Sequence, residues 1–175
     1  RVYNVEVSGV KEREVEELEA ELARIKRDAD FDTLVVGALA SVYQRSRFER
    51  VASRIGVRVY APNWGLDPVE YMRGLVREGF KFIVTSITVM GLPWELLGRP
   101  IGLREVEYIV ELSRRHGFNP AFEGGEAETL VYDAPHYRRS LCLRGRRLKV
   151  RDFEYKLLVS EAWLGDKGVE CLDIA

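Results

Sequence analysis

The spacing of apolar residues changes several times along the 175-residue chain, and each change marks a predicted element. Val2 to Val7 alternates apolar with polar, the pattern of a strand, and Ser8-Gly9 ends it. From Val15 the apolar positions Val15, Leu18, Leu22, Ile25 and Ala29 recur at intervals of three and four, which is one face of a helix. The opposite face carries Glu and Arg at helical neighbour spacings and reads as a solvated exterior. Thr33 to Gly37 is a short continuous apolar run, as in a strand covered on both faces. A helix is predicted from the polar stretch after Ser41 to about Ile55, and Val57 to Tyr60 is a further buried strand before Pro62. Strand, helix, strand, helix, strand predicts a partial open parallel sheet of the α/β kind.

After Pro62 the punctuation differs, and the domain boundary is predicted there, with residues 1–63 in one domain and 64–175 in a second, α+β domain. Asp67-Pro68 is a helix start, Asp at the N-cap and Pro at the first helical position, so Pro68 to Glu78 is predicted helical. Phe80 to Ile87 follows as a strand and Leu103 to His116 as a helix stopped by Gly117. Four further strands are predicted over Thr129 to Asp133, Tyr137 to Leu143, Arg147 to Phe153 and Tyr155 to Leu164, with Arg144-Gly145 as a turn. The three tryptophans, Trp64, Trp94 and Trp163, are expected to pack at the domain seam.

Composition narrows the class. Apolar residues at 46%, charged residues at 31% and a net charge of −1 exclude disorder and a generally basic nucleic-acid binder. No apolar run is long enough to span a membrane and the first positions are charged, so a soluble, cytoplasmic protein without a leader is expected. Cys142 and Cys171 lack CxxC spacing and a nearby His set, and are expected to be structural thiols. Arg outnumbers Lys 21 to 6 and there is a single Gln, a depletion of thermolabile residues that suggests a thermophilic source.

Two segments could carry chemistry. In Asn119 to Pro135 four carboxylates, Glu123, Glu126, Glu128 and Asp133, fall within eleven residues around Gly124-Gly125. The glycine pair permits a tight turn and close approach of the backbone to a ligand. Clustered carboxylates repel unless a cation lies among them, which favours a site, while a charged surface hairpin is the competing reading. The second segment, Gly37 to Arg47, lies where a buried strand runs into a helix, the place at which open α/β sheets bind ligands and helix N–H groups meet anions. An ordinary strand-to-helix connection with solvated arginines is the alternative. Arg138, Arg139, Arg144, Arg146, Arg147, Lys149 and Arg151 interleave with apolar residues and read as one face of a hairpin, either solvated or a dock for an acidic partner or RNA. His136 reads as a loop residue and His116 as a C-terminal helix residue near the dipole.

These residues resemble the family of diphthine–ammonia ligases, ATP-dependent amidoligases of the N-type ATP-pyrophosphatase class. The resemblance rests on Val36 to Ser41 with Tyr43 to Arg47, on Leu96-Leu97-Gly98-Arg99, and on Glu123-Gly124-Gly125-Glu126 with Glu128 to Val131, Asp133 and Pro135. It runs through the whole chain in order. It implies a Rossmann-like fold of the adenine nucleotide alpha hydrolase type, and ATP-dependent amidation of diphthine on elongation factor 2 through an acyl-adenylate, with ammonia as second substrate and AMP and pyrophosphate released. It also implies that Gly37, Ala38 and Ser41 lie against the nucleotide, Tyr43, Gln44, Arg45 and Arg47 near its phosphates or the domain junction, and Glu123, Glu126 and Glu128 in a catalytic wall. Gly124, Gly125, Thr129 and Asp133 would meet substrate, Mg²⁺ would bridge phosphate oxygens, and a homodimer is one expected assembly.

The chain departs from the family pattern in two places. The Ser-Gly-Gly-Lys-Asp-Ser phosphate loop is absent, so an incomplete chain is expected, one that binds ATP weakly until an N-terminal segment is restored. Phe122 stands where many relatives have a small residue. A non-catalytic binding or assembly module, and a related enzyme acting on another carboxylate or on tRNA, are the alternative functions. Glu126 is expected to be functional, sharing a cation with Glu128 across one strand face, so that Glu126→Gln would lower activity and hardly change melting.

Overall fold

The computed structural model of the chain describes residues 1–10, 13–37, 39 and 42–175, and among these it leaves the side chains of residues 14, 43 and 44 undescribed. The chain divides into two compact units, Arg1–Leu66 and Asp67–Ala175.

The first unit contains α1 (Arg13–Ala29), β1 (Thr33–Val35), α2 (Val42–Ile55) and β2 (Arg58–Tyr60). Among the described residues β1 and β2 form a parallel pair with Leu34 opposite Val59, and Val36 N–H extends the ladder to Tyr60 O at 3.0 Å. The strand–helix–strand order with a parallel pair is the α/β organisation that the apolar pattern predicts. Ile25 of α1, Val51 and Ala52 of α2, and Val36 and Leu39 after β1 are buried. Arg54 bridges α2 to Glu19 of α1 at 2.8 Å, and Lys26 Nζ donates to the carbonyls of Phe31 and Gly56.

Val2 to Val7 is not a strand. The segment takes no strand partner among the described residues, and Val2 is 90% exposed. Side chains hold it instead: Tyr3 Oη donates to Asp28, and Ser8 N–H donates to Glu17 Oε2 at 2.7 Å, both acceptors lying on α1. Alternation supplies a face but no sheet edge, and a strand needs both.

The second unit contains α3 (Pro68–Arg77), β3 (Lys81–Ile87), a 3₁₀ turn (Trp94–Leu96), α4 (Leu103–His116), β4 (Ala127–Asp133), β5 (Ser140–Arg151), β6 (Glu154–Gly165) and β7 (Leu172–Ile174). The helix signals act as their chemistry requires. Asp67 Oδ1 accepts from Val69 N and Glu70 N, both at 3.0 Å, and Gly117 closes α4 in the left-handed conformation at φ 78°. Among the described residues the sheet order is β4-β3-β6-β5-β7, antiparallel except for the parallel β5–β7 pair.

Strand β3 is the hub. Phe82, Val84 and Ile87 face the core shared with Met72 of α3 and Val106, Ile109 and Val110 of α4. Ile83 faces the opposite side with Leu143 and Leu157. A register shift between Val84 and Ser86 changes the parity of the strand, which is how Ile87, three residues after Val84, returns to the helical face with its partner Ala127. Leu97 adds an isolated rung beside Val84, and Gly98 N–H donates to Val84 O at 2.8 Å.

Two expectations for the second unit need correction. The segment from Ser140 to Arg151 is one strand, and Arg144-Gly145 is a bulge within it rather than a turn. A Cβ on Gly145 would lie 2.6 Å from Leu158 O, so glycine there permits close approach of β5 to β6, while the reversal falls at Asp152-Phe153 with Phe153 at φ 61°. Cys142 and Cys171 are joined as a disulfide, because the short strand β7 runs parallel to β5 with Leu143 opposite Leu172 and so brings the preceding residues together. The tryptophans Trp94 and Trp163 are exposed.

Gly98 has φ 67°, and a Cβ added there would lie 2.8 Å from Ile174 Cγ2. Gly98→Ala is expected to lower stability by about 1–3 kcal/mol through backbone strain and overpacking. Urea unfolding checks this; an unchanged midpoint would contradict it.

Candidate functional site

The segment between α4 and β4 is built from two consecutive turns. Phe122 N–H donates to Asn119 O at 3.0 Å, and Gly125 N–H donates to Phe122 O at 3.1 Å. Asn119 Oδ1 also accepts from Ala121 N at 2.9 Å, the self-bonding that makes Asn a turn residue. Glu126 then closes the loop on itself. Its Oε1 accepts from Asn119 N at 2.9 Å and its Oε2 from Gly124 N at 2.8 Å. Charge-assisted bonds of this kind are about twice as strong as neutral ones.

The glycine pair serves that closure. A Cβ on Gly124 would sit 2.7 Å from Glu126 Oε1, so only glycine admits the carboxylate, and Gly125 takes φ 84°. Phe122 is also left-handed, at φ 63°, where a bulky residue is strained. Its ring is buried and stacks on Phe118 with centroids 6.5 Å apart, which offsets the strain. Thr88, just beyond β3, ties the loop down through its N–H to Glu126 O at 2.8 Å and its hydroxyl to Gly125 O at 2.6 Å.

The other acids differ in setting. Glu123 is half-buried and near Tyr71 of α3, whose phenol is pushed up first by burial and then by the Glu123 charge. Glu128 is exposed on β4 opposite Ser86, and Thr129 is exposed opposite Val84. Asp133 is buried between two cations, with Lys167 Nζ at 2.7 Å and Lys81 Nζ at 3.1 Å. The Lys167 hydrogen bond, aided by Lys81, holds its carboxyl below the usual carboxylate range against the opposing effect of burial. His136 packs edge-on to Phe80 and Tyr137, as a loop residue would.

In the first unit, Gly37 is exposed just after β1, and Arg45 of α2 bonds Glu49 at 2.6 Å while its guanidinium lies 4.6 Å from the Trp64 ring centroid. Arg47 is half-buried on the same helix. Ala38 and Ser41 lie outside the described residues, as do the side chains of Tyr43 and Gln44.

A loop organised by Glu126 beyond a β–α–β unit can be compared with known proteins. The family model described as the diphthamide synthase N-terminal domain matches residues 1–59, and that described as the diphthamide synthase C-terminal domain matches residues 67–170. The chain belongs to the diphthamide synthase family. Curated relatives named diphthine–ammonia ligase are 32% identical over 129 residues in Rattus norvegicus (73% of this chain, 48% of the relative) and 32% identical over 131 residues in Danio rerio (74% and 51%). A relative of the same name in Schizosaccharomyces pombe is 27% identical over 146 residues, 83% of this chain and 24% of the relative. The chain thus spans about half the length of the vertebrate relatives.

Within this family member, reading residues in isolation missed the ligand of the Gly124-Gly125 turn, which is the chain's own Glu126. It also missed the pairing of Asp133 with Lys81 and Lys167, although an acid in the apolar run of β4 signals a buried, partnered charge. Among the described residues no three His, Cys, Asp or Glu side chains converge as a metal site. No helix among them is long and apolar enough to cross a membrane.

Two outcomes follow for the second unit. Glu126→Gln leaves one of two loop N–H groups facing an amide NH₂, and is expected to lower stability by about 1–3 kcal/mol in thermal unfolding; unchanged melting would return Glu126 to a role in ligand chemistry alone. The Asp133 pairing stabilises the fold fully above the ordinary carboxylate range and is lost as pH falls through its depressed folded-state value. Asp133→Asn should therefore lose stability at pH 7 and flatten the decline below about pH 4, whereas parallel pH profiles of wild type and variant would show the pairing to be inert.

Proposed function

We propose that the protein amidates diphthine on elongation factor 2, using ATP and ammonia. The observation that carries this reading is the match of both diphthamide synthase domains, in order, along one chain. In this reading the diphthine carboxylate attacks the α-phosphorus of ATP, the bond to pyrophosphate breaks, and an acyl-adenylate forms. Ammonia then adds to the acyl carbon and AMP leaves, with the surplus proton passing to solvent.

The first unit would bind the nucleotide at the carboxyl end of β1, where Gly37, Ala38 and Ser41 precede α2 and the helix N-terminus favours phosphate. Tyr43, Gln44, Arg45 and Arg47 would lie towards the phosphates. In the second unit Glu126 would hold the 119–126 loop in place, while Glu123 and the exposed Glu128 would present negative charge to ammonium or to the trimethylammonium group of diphthine. Gly124, Gly125 and Thr129 would shape the substrate edge, and Asp133 would brace it through its two lysines. Mg²⁺ would ride on phosphate oxygens with few protein ligands.

A cytoplasmic setting follows from the substrate, a translation factor. The Cys142–Cys171 bond fits that setting in a hyperthermophile, whose intracellular proteins retain disulfides.

The reaction is tested by supplying the full-length enzyme with ATP, ammonium and diphthine-bearing elongation factor 2. AMP and pyrophosphate formed in step with diphthamide support the proposal. Turnover only with tRNA selects a related ATP-pyrophosphatase, and no nucleotide turnover with either substrate selects a binding module.

A further inference from the structure

On the sheet face away from α3 and α4, Arg147 places a half-buried guanidinium beside Leu97. Its backbone N–H donates to Ala175 O at 3.0 Å and its Nε donates to Leu97 O at 2.9 Å, so the guanidinium is anchored at one edge and half-buried. Among the described residues it makes no ion pair. Arg144 on the same strand pairs with Glu161 and Asp173, Lys149 with Asp152, and Arg151 with Glu154, while Arg146, likewise without an ion pair among the described residues, is exposed to solvent where Arg147 is half-buried. A partly buried charge held in place without a counter-ion is unfavourable for the fold alone.

Beside this guanidinium lies a cavity of about 360 Å³, within the size range of small-ligand sites. Lys81 and Arg99 line it together with Arg147, and Tyr132 contributes a phenol that burial keeps protonated and able to donate. Glu170 is the single acid in the wall, so the lining is cationic even though Lys81 also meets Asp133 at 3.1 Å and Arg99 meets Glu105 at 3.0 Å. Gly98 and Gly168, both left-handed, leave the rim without side chains, and the Cys142–Cys171 bond fastens the wall formed by residues 168–172 to β5.

We propose that this cavity binds a small oxyanion carrying two or more negative charges, displayed as phosphate or carboxylate groups. Arg147 supplies a planar pair of N–H donors already oriented by Leu97, the arrangement suited to bidentate capture of such a group. Arg99 and Lys81 add charge at the mouth, and Tyr132 adds a neutral donor. The site lies wholly in the second unit and does not rest on the proposed amidation.

Calorimetric titration of the full chain with inorganic pyrophosphate, inorganic phosphate and citrate tests it. Pyrophosphate or citrate is expected to bind below about 1 mM, and the tighter of the two identifies the ligand as phosphate-bearing or polycarboxylate. Arg147→Gln should weaken that binding by about tenfold or more. Arg99→Gln should weaken it severalfold, and since the Arg99 side chain is 58% exposed this second variant keeps the test valid if the first does not fold. Absence of binding, binding unaffected by the foldable variants, or binding abolished instead by Arg45→Gln in the first unit would overturn the proposal.

Discussion

The carboxylate of Glu126, held between Asn119 N–H and Gly124 N–H, is the interaction on which the candidate site depends. It explains the residues around it in physical terms. Gly124 is needed because a side chain there would strike the carboxylate, and Gly125 because the chain must then turn through a left-handed conformation. Phe122 accepts a strained backbone because its ring is buried against Phe118. The N–H groups of the acidic Gly-Gly loop therefore already hold an anion, supplied in cis by Glu126. The result is a preorganised loop in which Glu123 and Glu128 hold positions that do not depend on a bound cation.

The loop inherits its position from β3. The register shift between Val84 and Ser86 turns Ile87 and Ala127 into the helical core, and Thr88 immediately beyond fastens Gly125 and Glu126 by their carbonyls. At the far end of β4, Asp133 and its two lysines hold the strand where it leaves the sheet. The Leu96 to Arg99 segment has a comparable structural role: Leu97 is fully buried beside Val84, and Gly98 passes close to Ile174. The Leu96 to Arg99 and Glu123 to Asp133 segments thus in large part shape the second unit.

What could be read from the residues alone follows the range of the interactions involved. Helices were legible because their signals are local: the three-and-four spacing of α1, the Asp67-Pro68 cap of α3 and the Gly117 stop of α4 each act within one or two turns. Strands were legible where both faces are buried, as in β3, and misread where partners decide. Val2 to Val7 alternates yet bonds to α1 through Tyr3 and Ser8, and Gly145 resembles a turn glycine but serves a bulge opposite Leu158. The cysteines lie 29 residues apart, and their pairing follows from the three-residue strand β7, too short to carry a pattern of its own. In the candidate site the acids and glycines were visible, but their division of labour was not. Glu126 and Glu128 differ only in which backbone groups lie within reach, a property of the folded loop.

The Glu126 carboxylate is an internal acceptor that organises the 119–126 loop. Amide hydrogen exchange of the protein without ligands tests it most directly, because among the described residues no acceptor other than Glu126 meets the N–H groups of Asn119 and Gly124. Protection of both amides well above that of an unstructured peptide, lost together in Glu126→Ala, is the expected result. Exchange of either amide at the unstructured rate near neutral pH would contradict the account and leave the Glu126 carboxylate available to a ligand.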